Sequence, residues 1–238
     1  MTSIVYRRVL LKLSGEVLAG DRGYGIDGKM LEYLAGEVAS LHELGIEVAI
    51  VIGGGNIFRG VQGLGRGIAR TSGDYMGMLA TVMNSIALQE GLKTLGVPAR
   101  IQAAIDMGPI AEPFVLERAL ASLDAGQLVI FAAGTGHPFF TTDTAASLRA
   151  IEIGADAILK ATKVDGVYSA DPVSDPNARR FDRISYLEVL QKQLTVMDLT
   201  AISLCMEHKM PLVVFDLKTA GNARRIVCGE SIGTLVGN

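Results

Sequence analysis

The sequence predicts an α/β domain built on a mainly parallel sheet, and three features carry that prediction. Short apolar runs recur along the chain, and several are continuous rather than alternating, as in strands covered on both faces. Between them lie segments with apolar residues three and four apart, the spacing of amphipathic helices. Glycine-bearing loops follow three of the runs, and in parallel sheets ligands sit beyond the carboxyl ends of strands.

The strands are expected at residues 9–13, 48–52, 99–103, 128–132, 157–161, 212–215 and 234–236. Leu31, Leu34, Val38 and Leu41 mark the inward face of a first helix. Met76, Leu79, Ala80, Met83, Ile86 and Ala87 mark a second. That helix also carries Met78, Val82 and Leu88, so it is apolar nearly all round; it is either central to the domain or packed against another subunit. Ala145, Leu148 and Ile151 mark a third, after a start at residues 141–143, and residues 199–208 form another. Strand and helix alternate, which argues a parallel sheet.

Composition narrows the function. The chain of 238 residues fits one large domain or two small lobes, and no linker divides it. Its formal charge of -3, with no polybasic run, disfavours nucleic acid or an anionic membrane as the main partner. The two cysteines, Cys205 and Cys228, form no CxxC, so a disulfide framework or structural zinc site is not expected. The N-terminal apolar stretch is short and broken by Lys12, unlike a secretion signal or a membrane span. A cytoplasmic protein is the expectation.

Three loops hold the chemistry. Lys12-Leu13-Ser14-Gly15 ends the first strand; a lysine there either snorkels to solvent or meets an anion. Gly53-Gly54-Gly55 leaves the second strand, with backbone N–H groups free to form an anion nest and Arg59 within reach of the same oxygens. Gly134 to Asp143 runs from a strand into a helix start, where hydroxyls and free N–H groups converge. Asp143 is either a helix-start residue or a member of the site. There is no GxxxxGK[ST], no dinucleotide fingerprint, no HRD or DFG, and no GxSxG or HExxH. Phosphate handling here follows another design.

Six blocks together resemble one family: LLKLSGE at 10–16, GGGNIFRG at 53–60, GDYMGMLATVMN at 73–84, GTGHPFFTTDTAA at 134–146, LKATKVDGVYSADP at 159–172 and MDLTA at 197–201. The chain is similar to the amino acid kinase superfamily and, within it, to bacterial UMP kinases. The third and fifth blocks distinguish these from carbamate, acetylglutamate, glutamate and aspartate kinases of the same fold.

The resemblance implies a three-layer αβα sandwich over residues 1–238, its N-terminal part mainly for UMP and oligomerisation, its C-terminal part mainly for ATP. It implies transfer of the γ-phosphoryl of ATP to UMP with Mg²⁺, in pyrimidine nucleotide synthesis. Lys12, Leu13, Ser14, Gly15, Gly55 and Arg59 are expected on the ATP phosphates, and Thr162, Tyr168 and Asp171 around the adenosine. Gly54, Asp74, Thr135, Gly136, His137, Pro138, Phe139, Phe140, Thr141 and Thr142 are expected on UMP. Lys12, Arg59 and Asp143 are the expected catalytic set. The family further implies a homohexamer activated by GTP, through Gly20, Asp21, Arg22, Gly23, Tyr24 and Gly25, and inhibited by UTP. His137 stands where asparagine is frequent in this family, which leaves the contacts of that one side chain open.

No protein metal ligand is assigned: Mg²⁺ is expected mostly on ATP oxygens and water. Asp143 is expected to orient a lysine or a metal-bound water rather than act as a base. Lys160 and Lys163 either line the nucleotide site or are solvated, and Asp198 reads as a helix N-cap. Two rivals stand beside this reading: an amino-acid or carbamate kinase on the same fold, and a nucleotide or oxyanion store.

Overall fold

The computed structural model describes residues 3–58, 67–172, 174–175 and 177–238. Among these, nine strands form one sheet in the order β4-β3-β5-β2-β1-β6-β10-β11-β9. They are β1 (Arg8–Leu13), β2 (Glu47–Ile52), β3 (Ala99–Ala103), β4 (Glu112–Pro113), β5 (Leu128–Ala132), β6 (Ala157–Thr162), β9 (Arg183–Ser185), β10 (Leu212–Asp216) and β11 (Thr234–Gly237). Neighbours pair in parallel except β10 with β11, which is antiparallel. A separate hairpin joins β7 (Val167–Tyr168) to β8 (Arg180–Phe181). All seven expected strands are present.

Side-chain alternation sorts the sheet into two cores. Val9, Leu11 and Leu13 of β1, with Val48, Ile50 and Ile52 of β2, meet α1 (Gly28–His42), α2 (Arg70–Thr94) and α7 (Asn222–Val227). Leu10, Ala49, Val51, Phe131 and Ile158 face the other way. They meet α3 (Leu116–Asp124), α4 (Thr142–Glu152), α5 (Tyr186–Gln191) and α6 (Leu199–Glu207). The result is the expected three-layer αβα sandwich. Because the strands are buried on both sides, their sequences read as unbroken apolar runs. Among the described residues no helix is long and apolar enough to cross a membrane.

The second helix is apolar on two sides, as its sequence implies. Met76, Leu79, Met83 and Ile86 form a stripe on the exposed side of α2. The sheet is met by the other side, where Met78, Val82, Leu88 and Leu92 are buried together with Thr81, Asn84 and Ser85. The stronger apolar periodicity lies on the face that points away from its own core. Short elements escaped the sequence reading: β4, the β7–β8 hairpin, β9, α3, α5, α7 and a 3₁₀ segment over Gly15–Arg22.

Replacing Leu88, fully buried on α2, by alanine is expected to lower unfolding free energy by about 2–5 kcal/mol in chemical denaturation. Leu187→Ala, on the exposed side of α5, is expected to stay within about 0.5 kcal/mol.

Candidate active site

Lys12 and Lys160 are direct register partners on the central strands β1 and β6. Each occupies the same pattern, Leu10-Leu11-Lys12 and Ile158-Leu159-Lys160, and alternation sends both side chains to the α4 side. Two ammonium groups about 4 Å apart at an effective dielectric near 20 repel by about 4 kcal/mol. One carboxylate relieves that: Asp143 Oδ1 lies 2.7 Å from Lys12 Nζ and Oδ2 lies 2.8 Å from Lys160 Nζ. Lys160 Nζ also donates to the Val196 carbonyl at 2.6 Å.

Burial alone drives the Asp143 carboxyl upward, but Lys12 and Lys160 outweigh it and hold it below the usual carboxylate value. Burial pushes Lys160 down, Lys12 adds to that, and Asp143 opposes it; the net is below the ordinary lysine value. Two positive charges and one negative leave a net positive group at the carboxyl end of the sheet.

Asp143 is free for this because it does not cap its helix. Thr141 caps α4, its Oγ1 accepting from the N–H groups of Asp143 and Thr144. The Thr141 hydroxyl donates in turn to Asp198 Oδ2 at 2.5 Å, and Thr144 Oγ1 donates to the same oxygen at 2.8 Å. Asp198 is the expected N-cap of α6, its Oδ1 accepting from Ala201 N at 2.9 Å. One carboxylate thus ties two helix starts together.

On the other side of Lys12 the chain passes through a narrow gap. A Cβ on Gly15 would fall 2.2 Å from the Gly53 carbonyl oxygen, and one on Gly54 would fall 2.7 Å from that of Gly77. Leu13 turns its side chain into the core and accepts from Gly53 N at 2.9 Å through its carbonyl, so only its backbone faces this loop. Ser14 Oγ accepts from Glu16 N and starts the 3₁₀ segment.

Two cavities lie in this region; Lys160 lines the larger, and Lys12 lines neither. The smaller, about 150 Å³, brings together Gly54, Gly55, Asp74, Thr135, Phe140, Thr141 and Thr142, with Gly73, Gly77 and Thr81 of α2. Gly136, His137, Pro138 and Phe139 are in the same loop but do not line it. Asp74 accepts from Arg70 Nε at 2.9 Å and from Phe139 N at 2.8 Å, which holds Phe139 at a positive φ of 73°. The larger cavity, about 620 Å³, gathers Lys160, Thr162, Tyr168 and Asp171. It also takes residues 192–196, which sequence reasoning missed. Gln193 there has a positive φ of 51°, for which the sequence gives no signal.

Arg59 lies outside the described residues. Lys163 is mostly exposed and pairs with Glu16 at 3.4 Å, on the solvated side of its two expected readings. Residues 20–25 line neither cavity. Gly25 is instead clipped to the glycine loop by Gly25 N to Asn56 O and Asn56 Nδ2 to Gly25 O, each 2.8 Å. Lys160 is the main site residue that the sequence left ambiguous. Its signal was available: the pattern of Lys12, repeated on the neighbouring strand.

Known proteins share this fold. A model of the amino acid kinase family matches residues 7–216. The crystal structure of a UMP kinase from Bacillus anthracis is 42% identical, with TM-score 0.95, over 98% of this chain and 96% of that one. A UMP kinase from Ureaplasma parvum is 33% identical, with TM-score 0.91, over 98% and 99% of the two chains. A uridylate kinase from Archaeoglobus fulgidus is 30% identical, with TM-score 0.75, over 97% and 100%.

Asp143→Asn removes the larger of the two carboxylate charges that hold Lys160 up, Asp198 being the other. The variant is expected to lose about 3–5 kcal/mol at neutral pH, as when one partner of a buried pair is deleted. Lys160 then has a folded-state pKa still further below its unfolded one, so the unfolded chain binds more protons and stability rises with pH. Thermal midpoints measured from neutral pH up toward the ordinary lysine value should show the deficit shrinking. A deficit that is constant with pH would contradict the charge account.

Proposed function

The chain belongs to the amino acid kinase family, and from that premise we propose that it is a UMP kinase, moving the γ-phosphoryl group of ATP to UMP to give UDP and ADP. The observation that carries the reading is the buried Lys12–Asp143–Lys160 group, with Lys160 in the wall of the large cavity and Thr141 and Thr142, just before Asp143, in the wall of the small one. The large cavity suits the adenosine of ATP, around Thr162, Tyr168 and Asp171. The small one suits UMP, with Gly54, Asp74, Thr135, Phe140, Thr141 and Thr142 as its walls and Gly136 to Phe139 at its rim. Their meeting point is where a phosphoryl group would cross.

The reaction brings two anions together, and the protein's task is alignment and charge stabilisation. Lys12 and Lys160 supply fixed positive charge, with Lys12 nearest the transferring group. The N–H groups of Ser14, Gly15, Gly54 and Gly55 add oriented dipoles, and Arg59 adds a further cation. A UMP phosphate oxygen, already ionised near pH 7, attacks the γ-phosphorus, and the bond to the β-bridging oxygen of ADP breaks. No proton has to be removed from the attacking oxygen. Asp143 is unsuited to that task anyway, since a general base works best with a pKa near the operating pH and this carboxyl is held low. It orients the two lysines.

Mg²⁺ fits such a site as an ion carried in by ATP. Among the described residues no three His, Cys, Asp or Glu side chains gather to hold a metal, and Mg²⁺ binds readily through phosphate oxygens and water. When bound it neutralises charge on the β- and γ-phosphates. Asp143, occupied by two ammonium groups, would meet it through water.

The reading extends to the whole molecule. We assign the N-terminal part to UMP and to subunit contact, with the exposed Met76, Leu79, Met83 and Ile86 stripe as the contact face of a homohexamer. The C-terminal part is assigned to ATP. Activation by GTP through residues 20–25, inhibition by UTP, a place in pyrimidine nucleotide synthesis and a cytoplasmic setting complete the proposal on family grounds. Free Cys205 and Cys228 accord with a reducing compartment.

A coupled ADP-release assay with ATP and Mg²⁺ should give strong turnover with UMP and little with CMP, dTMP, carbamate or acetylglutamate. Turnover with carbamate or acetylglutamate instead would select the acyl-phosphate kinases, and none with any acceptor would select a binding protein. Lys12→Ala should lower kcat about 10²–10³-fold, with a smaller change in KM. Near-native kcat in the folded variant would remove Lys12 from the reacting centre.

A further inference from the structure

The buried side of α2 carries Asn84, fully buried, at the level of the glycine loop. Its amide pairs reciprocally with that of Asn56: Asn84 Nδ2 donates to Asn56 Oδ1 at 2.7 Å, and Asn56 Nδ2 donates to Asn84 Oδ1 at 3.0 Å. The spare N–H of each amide is used as well. Asn84 Nδ2 also donates to the Gly53 carbonyl at 2.7 Å, and Asn56 Nδ2 to the Gly25 carbonyl at 2.8 Å.

A buried amide is costly unless its groups are paired, and an apolar residue would serve the core more cheaply. Packing therefore does not account for Asn84. What its hydrogen bonds do fix is the Gly53 carbonyl, and with it the plane of the peptide that joins Gly53 to Gly54. That peptide carries the Gly54 N–H. Gly54 and Gly55 line the smaller cavity, and across the gap lies Gly15, three residues after Lys12. Turning the Gly53–Gly54 peptide would reverse the dipole that the loop presents there.

We infer that Asn84, working through Asn56 and the Gly53 carbonyl, is a positioning residue: it fixes the orientation of the 53–56 loop so that its backbone N–H groups face phosphate oxygens. The inference rests on the phosphoryl-transfer reading of the same site. Neither asparagine touches the reacting atoms. Their part is to hold a glycine-rich turn, which has little stiffness of its own, in the one orientation an anion can use.

The test compares nucleotides with and without phosphate. Asn84→Asp keeps the shape but cannot donate to the Gly53 carbonyl. The double variant Asn56→Leu/Asn84→Leu replaces both partners of the pair together, which costs less stability than orphaning one, and it too leaves the Gly53 carbonyl unheld. Both variants should bind ATP and ADP about tenfold more weakly by calorimetry, while adenosine affinity stays native. In the UMP assay kcat should fall about 10²-fold, the scale of a misplaced reacting group. If Asn84→Asp fails to fold, the double variant decides. A lower melting temperature with equal changes for ATP and adenosine, or with no change in either, overturns the inference and leaves Asn84 a packing residue. Wild-type protein in the same assay separates the two questions. Without UMP turnover by the wild type the functional reading falls; with it, and with no phosphate-selective loss in the variants, only the positioning role falls.

Discussion

Two lysines held side by side by strand register are the constraint on which the rest of the site depends. Parallel pairing places Lys12 beside Lys160 on the central strands, and alternation points both to one face. Such a pair is tolerable in a buried place only if an anion joins it. Asp143 supplies one charge and leaves the group a net positive. The group lies at the carboxyl end of a parallel sheet, with Asp198 as a second carboxylate acting on Lys160. On the proposed reading, a protein of formal charge -3 would draw phosphate through the local charge of these lysines and not through its overall field.

The helix α2 serves that site from the side. A helix whose only task was to cover the sheet would bury its most apolar face. Here the buried face carries Thr81, Asn84 and Ser85 as well as Met78, Val82 and Leu88, and the apolar stripe points outward. The polar groups are spent on the loops. Thr81 Oγ1 accepts from the N–H of Ala133, which sits at a positive φ of 62° at the end of β5, and Asn84 holds Gly53 at the end of β2. One helix thus sets the orientation of two loops that leave neighbouring strands.

That inversion explains what the sequence could and could not convey. The strands were legible because burial on both faces leaves a continuous apolar run, as in residues 48–52 and 128–132. Gly15 and Gly54 stood out in the motifs, and the structure gives the steric reason for each. The orientation of α2 was not legible: hydropathy ranks Met83 above Asn84, and nothing local says that the asparagine has a partner 28 positions earlier. Lys160 was half-legible, since its strand repeats the pattern of Lys12, yet only register makes the two neighbours. The wall at residues 192–196 left no trace in any motif, and Gln193 within it adopts a conformation usually left to glycine.

The same network links the lysine group to both cavities. Thr141 caps α4, which frees Asp143 from capping, and Asp198 holds both Thr141 and Thr144 while capping α6. Lys160 reaches from Asp143 to the Val196 carbonyl, and Val196 belongs to the segment that walls the larger cavity. A displacement of that segment would therefore move the acceptor of Lys160, and through Lys160 the carboxylate that orients Lys12. Thr141 and Thr142 wall the smaller cavity and lead directly into Asp143, so a displacement there arrives at the same carboxylate from the other side. Asp143 is linked to both cavities, through Lys160 on one side and through Thr141 and Thr142 on the other. On the proposed reading, its pairing with both lysines holds them side by side for an incoming phosphate.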